Sequence, residues 1–206
     1  MDGAFAVARS PGHISGYFRR IPGATARETG SAGAGIVIEE GVTAKAVPSP
    51  VPRVTVLYPV SLQGEGRLPL IEEAMDRLGV TAEVITGSQL PAGAGFGLSA
   101  AALLASLSAL SALFALGLPD REIAALAHEI EVENRTGLGD VAACQAGGIE
   151  CRRGPGIGAE ILRIPAPGQV LHAVSLGPIP TPAILGDPAR MERIDRAFPG
   201  RCPRDL

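Results

Sequence analysis

The chain has no tryptophan, and aromatic residues make up 3% of its 206 positions. A recognition surface of stacked rings is therefore excluded, and the core must be filled by small aliphatic side chains. An excess of positive charge is lacking too: 18 Lys and Arg stand against 21 Asp and Glu, a formal net charge of −3. Nucleic acid, which is bound through a basic face, is not an expected partner. Cysteine is sparse. Cys144, Cys151 and Cys202 are odd in number, show no CxxC spacing and follow no apolar leader. They read as idle or buried thiols in a reducing cytoplasm. The three histidines, His13, His128 and His172, have no zinc-ligand spacing.

Glycine and proline are plentiful, at 27 and 18 residues, yet 46% of the chain is hydrophobic. That share can fill a core, unlike the composition of a disordered linker. No charged residue occurs from Val84 to Pro119. A membrane span is nevertheless not expected, because the run opens on ITGSQLPAGAGFG and no Lys/Arg cluster flanks it. Its helical part, Leu98 to Leu118, reads as a helix buried on all sides in a soluble core.

Hydrophobic alternation places strands over 4–8, 36–39, 42–47, 53–59, 81–86, 149–152, 159–164 and 170–176. Ser10-Pro11-Gly12 reads as a turn and the glycine-rich GSAGAG (30–35) as a bend. Helical spacing covers 70–78, stopped by Gly79, and 120–134, with Asp120 as its N-cap. Shorter helices fit 140–146 and 188–198, and PAPG (165–168) reads as a linker. Strands precede helices with little βαβ alternation, which favours an α+β fold.

Three segments carry chemistry. In PAGAGFGLSAAA, Gly93, Gly95 and Gly97 precede a helix start, where backbone N–H groups and the helix dipole suit a phosphate. Ser99, in the first turn, can ligate a Mg²⁺ held by phosphates. No Gly-Lys-Ser/Thr occurs, and Leu98 breaks a dinucleotide GxGxxG pattern. In AHEIEVENRTGLGDVAACQAGG, Glu131 lies on a helix and Asp140 follows a Thr-Gly-Leu-Gly turn. One carboxylate for a metal and one near a reacting hydroxyl is what phosphoryl transfer asks for. The alternative is a solvated face of Glu129, Glu131 and Glu133 with Asp140 as an N-cap. In SPGHISGYF, His13 by itself reads as a hydrogen-bonded structural histidine.

In this order the three segments resemble the GHMP kinase superfamily. Pro91, Gly95, Gly97, Ser99 and Ala100 match its phosphate loop, with Phe96 and Leu98 replacing the usual Leu and Ser. SPGHISGYF, GSAGAG and AHEIEVENRTGLGDV are similar to segments of the archaeal-type pantoate kinase family, the last being the most specific. The resemblance covers about residues 4 to 185. It implies a ribosomal-protein-S5-domain-2-like N-terminal domain over 1–166, with a left-handed βαβ phosphate crossover. A ferredoxin-like C-terminal domain would begin over 167–206. It also implies ATP-dependent phosphorylation of (R)-pantoate to 4-phosphopantoate, on the archaeal route to coenzyme A, in the cytoplasm.

Carried over by position, Pro91, Gly93, Gly95, Gly97, Ser99 and Ala100 would hold ATP. Ser99 and Glu131 would hold Mg²⁺, and Asp140 would activate or orient the acceptor hydroxyl. Pantoate is a small carboxylate, which a guanidinium or several N–H donors would hold. Arg152 is the first choice and Arg153 its rival, with Ser31, His128 and Thr181 as further substrate partners. A homodimer is usual in the family. Members also continue well beyond residue 206, and AFPGRCPRDL has no counterpart in them. The expectation is therefore an incomplete C-terminal domain. The alternatives are a catalytically impaired remnant that binds nucleotide or acts only as a partner, or a kinase for another small hydroxy substrate, such as mevalonate or homoserine.

Overall fold

The computed structural model describes residues 4–57, 68–175, 177–178 and 181–197. Its organising element is one long strand, β2 (Gly30–Pro48). Along one edge β2 pairs antiparallel with β1 (Ala6–Ile21) over nearly its whole length. Its other edge is shared: residues 43–48 pair with β4 (Ala82–Gly87), and residues 33–37 pair with β5 (Gly148–Arg152). β3 (Arg53–Leu57) extends the first half in parallel to β4. β6 (Ile161–Ile164) extends the second half antiparallel to β5. The six strands form one mixed sheet.

Helices α1 (Pro69–Leu78), α2 (Leu98–Leu113) and α3 (Asp120–Glu133) pack together, with α2 against the sheet. α2 is enclosed, as its uncharged sequence implies. One side, with Ala101, Ala102, Ala105, Ala109 and Leu110, meets Val42, Ala44, Ala46 and Val84 of the sheet. The other, with Ala100, Leu103, Leu104 and Leu107, meets Ile123, Ala124, Ala127 and Ile130 of α3. Its alanines let the sheet approach closely, which suits a core almost without aromatic rings. Among the described residues no helix is long and apolar enough to cross a membrane. The remaining helices are α4 (Asp140–Ala143), α5 (Thr181–Leu185) and α6 (Pro188–Ala197).

Several local expectations are corrected. Ser10-Pro11-Gly12 is not a turn: β1 passes through it, and the ladder absorbs the misfit as an irregularity between Pro11 and Gly12. GSAGAG is not a bend but the start of β2, its glycines paired with β1 and β5. α2 ends at Leu113, five residues before Leu118. The N-cap of α3 is Pro119, with Asp120 already inside the first turn. Residues 170–175 form no strand, and 176 lies outside the described residues, as do 58–59 of the strand expected over 53–59 and 198 of the last helix. Cys144 is buried and free, Cys151 is buried but not a free thiol, and Cys202 lies outside the described residues. Cys144 fits the reading of an idle or buried thiol, and Cys151 departs from it.

Candidate active site

A cavity of about 580 Å³ opens where the glycine loop, the N-terminus of α2, the turn before α4 and one face of β1–β2–β5 converge. The loop supplies Gly93, Gly95 and Gly97, all with positive φ (73°, 85° and 62°). Glycine reaches this region without steric cost. The loop is tied to the sheet by the His13 N–H, which donates to the Phe96 carbonyl at 3.0 Å. Gly93, Gly95, Gly97 and Ser99 line the cavity. Ala100 is instead packed in the core behind it, and Pro91 is not part of the lining.

The floor comes from strand register. Residues paired across an antiparallel ladder point to the same face. Ser15 and Glu150 both oppose Gly35, and Phe18 and Arg152 both oppose Gly33. Ser31, Gly33 and Gly35 thus form a row along β2 with almost no side chains, and the functional groups of β1 and β5 meet above it. This is what GSAGAG is for. Ser15, Phe18, Ser31 and Arg152 line the cavity, and Arg153, one residue on, points away to Glu160 at 2.9 Å.

Asp140 begins α4 and lines the cavity. At the other end of α4, Arg163 donates to the carbonyls of Ala143 at 2.9 Å and Ala146 at 2.8 Å. Asp140 Oδ1 lies 2.6 Å from His13 Nδ1, and His13 Nε2 lies 3.0 Å from Glu150 Oε1. Glu150 Oε1 also accepts from Arg152 Nη1. An ionised carboxylate only accepts, so an imidazole placed between two of them donates from both nitrogens and is cationic. Burial opposes that charge, but the bonds to Asp140 and Glu150 outweigh it and raise the His13 pKa above its ordinary value. Burial likewise acts to raise the Asp140 pKa, and the bond to and charge of His13, with Arg152 and Ser15, reverse this and lower it. His13 is buried and hydrogen-bonded, as expected of a structural histidine, and one of its partners is the cavity-lining Asp140. Glu150 and Ser15 were missed, since their meeting with His13 and Asp140 depends on strand register.

Of the three α3 glutamates, only Glu131 turns inward. Glu129 pairs with Arg27 at 2.7 Å, and Glu133 pairs with Arg77 on the outside. Glu131 accepts from the Ser99 hydroxyl, and its other oxygen is buried without a partner. A Cβ on Gly137 would lie 2.1 Å from that oxygen, and one on Gly139 would lie 2.6 Å from Ser31 Oγ and 2.8 Å from Arg152 Nε. Both glycines of the Thr-Gly-Leu-Gly turn thus make room for functional side chains. Burial first, and then the charge of Asp140, push the Glu131 pKa up to about 8. A buried carboxylate with an orphaned oxygen beside a hydroxyl and a phosphate-type loop is a donor set suited to Mg²⁺, which binds few protein oxygens and completes its shell with phosphate and water. Among the described residues no group of three or more His, Cys, Asp or Glu could hold a metal by itself.

Thr181 lines the cavity. His128 does not: it is buried, and its Nε2 donates to the Thr29 carbonyl at 2.8 Å. Burial lowers its pKa, the Thr29 bond only partly opposing this, and it braces the approach to β2 rather than facing the cavity.

Comparison with known proteins agrees with this geometry. Residues 68–148 match the family model described as GHMP kinases N terminal domain. The pantoate kinase of Methanospirillum hungatei is 38% identical over 97% of this chain and 70% of that protein. The pantoate kinase of Methanocaldococcus jannaschii is 30% identical over 75% of this chain and 56% of that protein. A solved phosphotransferase related to the CoA biosynthesis pathway superposes with a TM-score of 0.67 at 29% identity, covering 79% of this chain and 58% of that one. The chain therefore spans 70% of the first relative's length and under two thirds of the other two. Mevalonate kinase from Staphylococcus aureus, at 16% identity and a TM-score of 0.54, shares the fold. Ser99, Asp140 and Arg152 line one cavity, with Glu131 and His13 bonded behind Ser99 and Asp140, and by its likeness to its relatives the chain belongs to the pantoate kinase family of the GHMP kinases.

Proposed function

We propose that this protein transfers the γ-phosphoryl group of ATP to the 4-hydroxyl of (R)-pantoate, giving ADP and 4-phosphopantoate for coenzyme A synthesis. The observation that carries this reading is the shared cavity: the glycine loop, the α2 N-terminus, Arg152, Ser31 and Asp140 all line it. The loop amides take the phosphates. A second, largely apolar cavity of about 160 Å³, lined by Val42, Val56, Leu68 and Ala102, adjoins at Gly93, Leu98 and Ser99 and suits the base. Arg152 takes the pantoate carboxylate, with Ser31 and Thr181 beside it. Ser99 and Glu131 hold Mg²⁺, which when bound offsets phosphate charge.

Asp140 accepts a hydrogen bond from the acceptor hydroxyl and aims its oxygen at the γ-phosphorus. As the new P–O bond forms and the bond to the ADP oxygen breaks, the hydroxyl proton passes to Asp140. The depressed pKa makes Asp140 a weak base, so this transfer comes late, as a loose transition state permits. The division near residue 166 belongs to the same reading. It is supported by β6 ending at Ile164 and by the absence of helix or strand over 165–175. The test is to incubate the purified chain with ATP, Mg²⁺ and (R)-pantoate, mevalonate or homoserine, following ADP release and the ³¹P spectrum. Pantoate-dependent ADP and a phosphomonoester signal are expected. Faster turnover of mevalonate or homoserine, or none with pantoate, overturns the assignment.

A further inference from the structure

We infer that Glu150 is a positioning residue that fixes both ends of the substrate site, the Asp140 end through His13 and the carboxylate end through Arg152, with one buried oxygen. The inference deepens the proposed kinase reading and rests on it for its kinetic consequences. Glu150 is fully buried in β5, touches neither cavity, and its Oε1 faces two donors from different directions. His13 Nε2 reaches it from β1, and Arg152 Nη1 from two residues along β5. β1 and β5 are not neighbours: β2 runs between them. The His13 ring spans that gap because residue 35 is glycine; a Cβ there would sit 2.2 Å from His13 Nε2. Glu150 is the residue paired with Gly35, so the glycine that clears the path also marks where the path ends.

The charges support the same role. His13 and Arg152 are cations, Asp140 and Glu150 anions, and all four lie in contact order Asp140–His13–Glu150–Arg152. Without Glu150, the buried His13 and Arg152 cations would lose the carboxylate that both bond. Asp140 and Arg152 both line the cavity, and in the proposed reading one meets the acceptor hydroxyl and the other its carboxylate. One carboxylate therefore sets the spacing between the group that orients the hydroxyl and the group that binds the acid.

Glu150→Gln keeps the shape and removes the charge, turning two charge-assisted bonds to an anion into bonds to a neutral amide. Each is expected to weaken enough to cost about tenfold. The expected result is a roughly tenfold lower kcat together with a roughly tenfold higher KM for pantoate, and an unchanged KM for ATP. A lower Tm with kcat and both KM values unchanged per folded molecule would make Glu150 merely structural and overturn the inference. If Glu150→Gln does not fold, Glu150→Asp reads the same parameters, since it keeps the charge but withdraws it by one carbon. Joint shifts in kcat and pantoate KM support the role, and neither shifting overturns it. If the wild-type chain does not phosphorylate pantoate, the kinase reading fails, and the positioning claim is read separately from imidazole ¹⁵N spectra. Two hydrogen-bonded His13 N–H signals are expected in the wild type, with the Nε2 signal displaced or lost in Glu150→Gln. An unchanged pair of signals overturns it.

Discussion

Asp140 was picked out by the Thr-Gly-Leu-Gly turn before it, and Arg152, with Arg153 as its rival, by the charge an acid substrate would need; both Asp140 and Arg152 line the cavity. The partners that give them their properties were not legible. Nothing in SPGHISGYF shows that His13 will meet Asp140, 127 positions away, at 2.6 Å. Asp140→Asn should leave the fold intact and lower kcat by about 10²–10⁴, as for loss of a positioned acid–base group; steady-state kinetics beside a melting curve check this, and near wild-type turnover would remove Asp140 from the mechanism. The two arginines make a paired test. Arg152→Ala should raise the pantoate KM by roughly 10–150-fold, the equivalent of about 1.5–3 kcal/mol for a charge-assisted contact. Because Arg152 also bonds the buried Glu150, its melting temperature should fall as well. Arg153→Ala, which breaks only a half-exposed pair with Glu160, should change neither. Pantoate titrations of both variants decide it, and a defect confined to Arg153→Ala would contradict the observed register.

At the scale of elements, helices were easier to read than strands. The period of 70–78, the stop at Gly79 with φ of 64° and the uncharged run of α2 each declare themselves within a dozen residues. β1 and β2 were cut short in the reading because proline and glycine usually punctuate strands. Here the punctuation has another cause. Pro11 and Gly12 sit at an irregularity of the ladder, and Gly33 and Gly35 clear the floor of the site, so tertiary packing overrides the local signal. The same logic governs the turn between α3 and α4. Gly137→Ala would drive a Cβ into the Glu131 carboxylate, which is buried and has little room to retreat. The expected outcome is a raised KM for Mg·ATP with the pantoate KM nearly unchanged, because the disturbed pair is Ser99–Glu131 and not Arg152. Kinetics across a Mg²⁺ series measure this; a defect in pantoate alone would place Glu131 on the acceptor side.

For the molecule as a whole, the site stores ionisable groups at a cost that depends on pH. Two of them act in the same direction. Glu131 has a folded pKa of about 8 against an ordinary 4.5, so between these values the folded chain holds a proton that the unfolded chain has released. Its contribution is therefore present at low pH and lost as pH rises toward 8. His13 has a folded pKa raised above 6.5. Its contribution is complete below 6.5 and is lost as pH climbs through the folded value. Asp140 works oppositely, with a depressed pKa, so its contribution is present above the ordinary carboxylate range and lost only in stronger acid. By linkage, stability falls wherever the folded state binds more protons than the unfolded one. The metal-free protein should thus be most stable in mild acid and lose melting temperature steadily from about pH 5 to beyond pH 8. Glu131→Gln has no carboxyl to ionise, so it should flatten the slope between about pH 5 and 6.5 and lessen it from there to pH 8, leaving only the share that belongs to His13. Thermal melts in a buffer series without Mg²⁺ or nucleotide measure both. A wild-type melting temperature that rises from pH 5 to pH 8 would mean that Glu131 is ionised in the folded chain without a cation, and would remove the main reason for assigning it to the metal.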